Sequence, residues 1–331
     1  MKTTNILLTI PFLLLTAVGC TSDEQVGEPV TNEKGEYPVN FSGSMDMTLT
    51  KGNTDDEAEA IGKDVKAKIY AYTGSTSDFS TAAIASGDYV ADGSGNLEGS
   101  SYTMYLAKGN YDFYAVSCNS TSTDAPTFTS GTSSALMNGT DYLWVKKTEG
   151  IPVSSSTDHT SNVELTFSHS AVNILINVQT EDNTGIELTG WQDNNPATIK
   201  VPVTTSSTMT LSDGKIVTST SLATDAVAMA TTAVSNKKAT ASYIILPYSG
   251  NTGLEVIFKV KVKIGDSKTE ESKEYKATLT VPSGGSGFAG GSQYTYTATL
   301  KPNKITFTGA KVSAWTNNDI TNDLDPTEPA S

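Results

Sequence analysis

Apolar and polar residues alternate along most of this chain with the two-residue period of a β-strand. Residues 64–72 show the pattern first, and residues 254–264 show it most clearly. In the second segment, lysines take the alternate positions opposite Val256, Phe258 and Val260. A face that is consistently apolar opposite one that is charged predicts a strand with one side in a core and one in water. Residues 275–281 are its expected partner.

Turn residues separate these strands at short intervals. Asp213-Gly214 lies between residues 208–211 and 215–218, and both turn residues tolerate positive φ, so this segment is expected to reverse direction. Lys108-Gly109-Asn110 lies between residues 102–106 and 111–116. That arrangement predicts a second hairpin, in which these two strands pair.

The apolar positions change parity between residues 163–169 and residues 172–178. A continuous strand cannot exchange its two faces without an extra residue, so a bulge or tight bend is expected near residues 168–171. Short strands with frequent turns and no helical periodicity indicate an all-β protein. The fold expected is two tandem antiparallel β-sandwich domains, with the boundary in the polar stretch at residues 154–161.

The N-terminus carries a different kind of pattern. A short apolar run after Lys2 leads into Ala17-Val18-Gly19 and then Cys20. The run is about half the length that a membrane-spanning helix needs. Small residues before a cysteine are typical of a bacterial lipoprotein signal, cleaved so that Cys20 becomes the lipidated N-terminal residue. The polar, acidic residues that follow up to position 36 predict a flexible tether.

Composition narrows the range of partners. The chain has 331 residues, a formal net charge of −14, and lysine as its only strongly basic residue type, because it contains no arginine. Binding to a nucleic acid requires clustered basic residues, so no nucleic-acid partner is expected. Once Cys20 is lipidated, Cys118 is the one remaining cysteine, and no intrachain disulfide can form.

No set of residues predicts catalysis, a cofactor or a metal. The two histidines, His159 and His169, have no spacing to Cys118 that indicates a nucleophile and its base, and His169 is interpreted as a structural residue that bonds a backbone group at the bend. The acidic stretches at 55–59 and 317–325 lack the spacing of a calcium loop. We expect no enzymatic activity, no cofactor, no metal site and no catalytic residue.

Four segments of the chain form a recognisable set. They are Tyr37-Pro-Val-Asn-Phe41, Asp141-Tyr-Leu-Trp-Val145, Leu165-Thr-Phe-Ser-His-Ser-Ala171, and the C-terminal run from Tyr294 to Trp315. Together they resemble the fimbrillin (Mfa-like, FimA-like) family of Bacteroidetes surface lipoproteins. The resemblance implies two transthyretin-like sandwiches and a subunit of a type V pilus. It implies surface exposure on the outer membrane, held there by lipid on Cys20, and a fimbrial location after processing.

The same resemblance implies how such a subunit assembles. A protease cuts after a basic residue and removes the first strand, and a strand from another pilus subunit replaces it. Here the removable strand would be residues 37–42, with Tyr37, Val39 and Phe41, extended by residues 45–49. Val39 and Phe41 are expected to face inward. The cut would fall between Lys51 and Gly52. The donor would come from residues 305–315 or those after them. The partners implied are other subunits, the membrane lipid and a surface ligand on a host or bacterial cell.

This chain departs from the family at the cleavage site, where Lys51 stands in place of the usual arginine. An arginine-specific protease could not process it, and the protein would then stay on its lipid as an anchor. An alternative is a monomeric glycan-binding lipoprotein in which some of Trp144, Trp191 and Trp315 form an exposed platform. The predicted organisation is a signal peptide (1–19), a tether (20–36), an N-terminal sandwich (37–158), a C-terminal sandwich (159–317) and a disordered tail (318–331).

Overall fold

The computed structural model describes residues 31–46, 59–75, 78–153, 161–181, 185–192, 194–265, 269–281 and 287–315. Within these ranges the chain is all-β. The first half contributes β1 (Tyr37–Met45), β2 (Lys66–Thr73), β3 (Ala85–Ala91), β4 (Asn96–Gly99), β5 (Met104–Leu106), β6 (Gly109–Ser117), β7 (Phe128–Thr129), β8 (Thr132–Ser133), β9 (Leu143–Ile151) and β10 (Ser161–His169). The second half contributes β11 (Val172–Gln179), β12 (Ile186–Trp191), β13 (Ala197–Pro202), β14 (Leu222–Ala228), β15 (Ala230–Thr231), β16 (Lys238–Ile245), β17 (Leu254–Ile264), β18 (Glu271–Leu279), β19 (Ser292–Lys301) and β20 (Lys304–Ala314).

The first large sheet has eight strands in the order β10-β9-β6-β2-β3-β4-β1-β5. Strand β1 also pairs with β10, so the sheet closes on itself. Its alternating inward residues fill one core, to which Phe41, Ile69, Phe113 and Phe167 contribute. Closure leaves few unpaired edges, which is how β-proteins with many strands avoid edge-to-edge association.

The second half of the chain forms two five-stranded sheets. One has the order β15-β16-β11-β19-β20, and the other has the order β12-β17-β13-β14 with β18 also paired to β17. The inward residues of both sheets share one apolar core, which includes Ile174, Val256, Phe258 and Tyr296. Strand β17 alternates as the sequence predicts, and its pairing with β18 along nine register positions confirms the expected partner.

A third apolar cluster joins the two halves. Tyr72, Tyr114 and Val116 on β2 and β6 point away from the first core and contact residues such as Met209 and Leu211 of the second half. Strand β6 is therefore buried on both faces through most of its length. In the sequence of such a strand, apolar residues follow one another in a run and do not alternate with polar ones.

The turn at Asp213-Gly214 is confirmed. Met209 bridges Ile216, and the Thr210 amide donates to the Lys215 carbonyl at 3.0 Å. Gly214 has φ of +66°, and a Cβ there would lie 2.5 Å from the indole ring of Trp144. Both the backbone conformation and the close approach of the ring therefore require glycine.

The hairpin predicted around Lys108-Gly109-Asn110 is wrong. Strand β5 pairs with β1, whereas β6 pairs with β2 and β9. Gly109 and Asn110 are the first two residues of β6, and partners far along the sequence compete for both strands. Because β6 has apolar residues on both faces, it gains more from a central position between two neighbours than from the short strand β5.

The change of parity near residues 168–171 is confirmed as a bend. Strand β10 ends at His169, β11 begins at Val172, and the two strands belong to different sheets. Because β10 pairs with β1 and β9, the first sheet continues to His169. The chain therefore passes between sheets at residues 170–171, some ten residues after the polar stretch at which we expected the boundary.

A buried carboxylate links β6 to β9. The side chain of Asp112 is 1% exposed, receives Thr148 Oγ1 at 2.5 Å, and lies 3.1 Å from Lys146 Nζ. Burial alone would raise the pKa of Asp112, but the hydrogen bonds of Thr148 and Lys146 and the lysine charge outweigh it and lower the pKa. The stability that this carboxylate adds is present at neutral pH and is lost as the pH falls through its folded-state pKa.

We expect Asp112→Asn to lower the free energy of unfolding at pH 7 by about 1–3 kcal/mol, because it removes the charge that accepts from Thr148, Lys146 and the Ser75 amide. Because the variant lacks this carboxylate, its free energy of unfolding should fall less than that of the wild type as the pH is lowered. Urea unfolding at neutral and acidic pH measures both effects. Equal stability of the two proteins at pH 7 would contradict a role for the Asp112 charge.

Candidate functional site

Strand β1 occupies a central position in the first sheet. On one side it runs parallel to β10, from the Val39–Ser161 pair to the Met45–Phe167 pair. On the other side it runs antiparallel to β5 at residues 37–39 and to β4 at residues 41–42. This strand, for which the family resemblance implies removal, is therefore hydrogen-bonded to neighbours along both edges.

The inward side chains of β1 belong to the first core. Val39, Phe41 and Met45 are at most 3% exposed, whereas Tyr37 is half-buried at the end of the strand. The Phe41 ring makes edge-to-face contacts with Tyr89, at 5.2 Å between ring centroids, and with Phe113, at 5.4 Å. The inward orientation predicted for Val39 and Phe41 is thus observed, and loss of β1 would open this core to water.

The two described chain ends that flank residues 47–58 lie side by side. The Met45 amide donates to the Glu59 carbonyl at 2.7 Å, and Ser44 bridges Ala60. Lys51 and Gly52 fall between these ends, outside the described residues, as does Cys20. A single cut between residues 47 and 58 would leave β1 joined covalently to the N-terminal segment alone.

His169, at the end of β10, lies among residues from distant parts of the chain. Its Nδ1 is 2.7 Å from Asp141 Oδ1, and its ring stacks on Trp315 at 3.9 Å with an angle of 9°. The expectation that it bonds a backbone group is wrong, because its partner is a carboxylate. The Asp141, His169 and Trp315 side chains therefore tie together three of the segments on which the family resemblance rests.

Cys118 lies close to this group but is not arranged as a nucleophile. Its Sγ is 3.3 Å from the Asp124 carbonyl oxygen. Burial, together with the charges of Asp141 and Asp124, raises the pKa of the thiol to about 11. A thiol with that pKa stays protonated at neutral pH and is a poor nucleophile. His159 lies outside the described residues.

The three tryptophans have separate surroundings. The indole of Trp144 donates to the Leu211 carbonyl at 2.8 Å, and that of Trp191 donates to the Thr232 carbonyl at 2.7 Å. Trp315 is buried against His169. These contacts do not bring them together as one platform for a sugar.

The described residues contain no cluster of three or more His, Cys, Asp and Glu side chains placed to hold a metal ion. Among the same residues, none forms a helix long and apolar enough to cross a membrane.

Three solved structures with similar folds are proteins of Bacteroides species. A protein assigned to cell adhesion from Bacteroides uniformis aligns over 86% of this chain and all of its own, with 16% identity and a TM-score of 0.55. Proteins with the same assignment from Bacteroides fragilis and Bacteroides ovatus align with 15% identity and TM-scores of 0.53, over 86% of this chain and 100% and 99% of theirs. At these identities the likeness concerns the fold.

Comparison with curated protein sequences gives no significant match. The sequence profile of the fimbrillin-like family, in contrast, matches residues 50–315. That match covers most of the chain and includes β2 to β20. The protein belongs to the fimbrillin-like family.

Proposed function

We propose that this protein is a pilus subunit that is delivered to the outer-membrane surface by lipid on Cys20 and polymerises after loss of β1. A strand donated by a neighbouring subunit would take the vacated position. The central position of β1, between β10 and the β4–β5 edge, is the observation that carries this proposal. Among the described strands β1 comes first in the sequence, so its removal would leave the strands that follow in one continuous chain.

Removal of β1 would create both elements of a strand-binding groove. The edges of β10, β4 and β5 would present unpaired N–H and C=O groups, which favour the addition of another strand. Loss of Val39, Phe41 and Met45 would expose the core residues that they cover. An incoming strand with apolar residues at alternate positions would bury those residues again. An opened subunit would therefore be driven towards association with another subunit.

The donor is best assigned to residues after Trp315. Strand β20 pairs with β19 from Ser292–Ala314 to Lys301–Lys304, and Trp315 is buried. Residues 304–315 would have to leave their own sheet before they could donate. The stretch that follows carries two larger apolar residues, Ile320 and Leu324, which share one parity. Both would point to the same side of a strand.

Cleavage after Lys51 is the triggering step in this scheme. A cut after Lys34 would release the lipid but leave β1 in place, because Lys34 precedes the strand. Only a cut between β1 and β2 can open the groove. If no lysine-cleaving protease acts here, the chain keeps both β1 and its lipid, and it serves as a pilus anchor.

The test is to determine the mature N-terminus of the protein in surface material from the producing cell. We expect Gly52 as the first residue, in ladders of subunits that resist SDS. Acylated Cys20 with no ladder would refute polymerisation through loss of β1 and leave the anchor role. An N-terminus at Gly35 within ladders would show that the strand is retained during assembly.

A further inference from the structure

A pocket opens on the surface of the first sheet where β1 changes partners. Val39 pairs with Met104 of β5, and Phe41 pairs with Leu97 of β4, so the segment between β4 and β5 bows away opposite Asn40. The opening has a volume of about 460 Å³. That is the size of a site for a small molecule or a short chain of sugar units.

The rim of this pocket carries side chains that donate hydrogen bonds and side chains that accept them. The polar residues of the lining include Asn40, Ser42, Glu98, Asn162 and Glu164. The two carboxylates accept hydrogen bonds, and the amides both accept and donate. None of the lining residues is basic, so an anionic ligand would be repelled.

Tyr89 forms part of the pocket wall, and its hydroxyl group lacks a hydrogen bond within the described part of the chain. Its side chain is 3% exposed, and its hydroxyl has no hydrogen-bond partner among the described residues. Burial raises its pKa, so the phenol stays protonated and needs an acceptor. The hydroxyl is closed to solvent in the free protein, so the lining has to shift slightly before a ligand can reach it. A buried polar group without a partner costs free energy, and a ligand that reaches this hydroxyl would provide the missing partner.

Tyr102 adds an apolar surface at the mouth. The residue is 41% exposed. Its ring lies close above Gly87, where a Cβ would come within 2.7 Å of it. The ring is thus held in place from below while part of it remains open to solvent. Exposed aromatic rings of this kind present an apolar face next to polar groups.

We propose that this pocket binds a neutral saccharide. Sugar hydroxyls donate to Glu98 and Glu164 and accept from Tyr89, and the C–H face of the ring lies on Tyr102. A cationic amine would satisfy the carboxylates but could not accept from the Tyr89 hydroxyl. The lining of this pocket contains none of the three tryptophans, and binding there does not require strand exchange.

The pocket exists only while β1 is in place. Four of its lining residues, Val39, Asn40, Phe41 and Ser42, belong to β1, and Asn162 and Glu164 belong to the neighbouring strand β10. Saccharide binding is therefore a property of the chain that retains β1. A chain cut after Lys51 that has lost β1 should bind no saccharide, unless its donor strand supplies equivalent groups.

The test uses the full-length uncleaved chain in detergent, with lactose, maltotriose, cellotriose and chitotriose as probes. Spermidine and inorganic phosphate serve as charged controls. Saturation-transfer NMR and calorimetry should detect binding of at least one saccharide and none of phosphate. Failure of all four saccharides, or tighter binding of spermidine, would overturn the proposal. Neither result bears on the ladders that test polymerisation.

Three variants locate the binding. Tyr102→Ala should weaken it about tenfold, whereas Tyr105→Ala, on an exposed tyrosine of β5 outside the pocket lining, should leave it unchanged. Tyr89→Phe should weaken binding about threefold to tenfold with no loss of thermal stability, because its hydroxyl has no partner in the free protein. Equal affinities of wild type, Tyr102→Ala and Tyr89→Phe would overturn the assignment of this pocket.

Discussion

A disulfide between β1 and β10 should abolish assembly. Ser44 and Thr166 are register partners in the parallel pair, and their hydroxyl oxygens lie 3.5 Å apart on the outer side of the sheet. Adjacent strands are about 4.8 Å apart, which lies within the Cα separation that a disulfide spans. Ser44→Cys with Thr166→Cys should therefore form a bond during export, where conditions are oxidising.

The locked protein should still be cut after Lys51 but should form no SDS-resistant ladder, because β1 stays bound covalently in its position. Reduction should restore ladders to the wild-type amount. Gel analysis of surface material before and after dithiothreitol measures the effect. Cys118 does not interfere, since it is buried and burial raises the pKa of its thiol to about 11.

The single variant Ser44→Cys is the matched control, because it changes the same strand without a bond to β10. It should assemble as the wild type does. Ladders formed by the oxidised double variant, with the disulfide shown by mass spectrometry, would mean that assembly proceeds with β1 in place. The strand-exchange proposal would then be wrong.

Much of the secondary structure could be predicted, because it depends on local patterns. Strand β17 has alternating residues, and the bend after His169 follows from parity alone. The pairing could not be predicted in the same way. Strand β1 binds β10, about 120 residues later in the chain, and no local signal marks two strands as parallel neighbours. The wrong hairpin at Lys108-Gly109-Asn110 has the same origin, since turn residues indicate reversal and not which strands pair.

The candidate site could be predicted only in part, because local sequence patterns show which side of a strand is buried but not which strands pair. Alternation shows that Val39 and Phe41 share one side of a strand, which the structure confirms as the buried side. Sequence alone does not show that β1 is flanked on both edges, although that feature decides what its removal would do. The pocket beside Asn40 also escaped prediction, because its walls come from strands that are distant in sequence.

Phe41→Ala should lower the free energy of unfolding of the uncut chain by about 3–5 kcal/mol, because it empties a well-packed core position. Phe41 is 3% exposed and contacts both Tyr89 and Phe113. The matched control is Asn40→Ala, at an exposed position of the same strand, which should change stability by less than about 0.5 kcal/mol. Urea unfolding of the Cys20→Ser forms, which carry no lipid, measures both.

The same substitution separates the precursor from the assembled subunit. If β1 leaves during assembly, Phe41 is absent from the finished pilus, and ladders from Phe41→Ala should dissociate at the same temperature in SDS as wild-type ladders. If β1 stays in the pilus, the packing defect left by Phe41→Ala stays with it. The variant ladders would then dissociate at a lower temperature than wild-type ladders. Destabilisation of the precursor together with unchanged ladders is therefore a result that strand exchange predicts and retention of β1 does not.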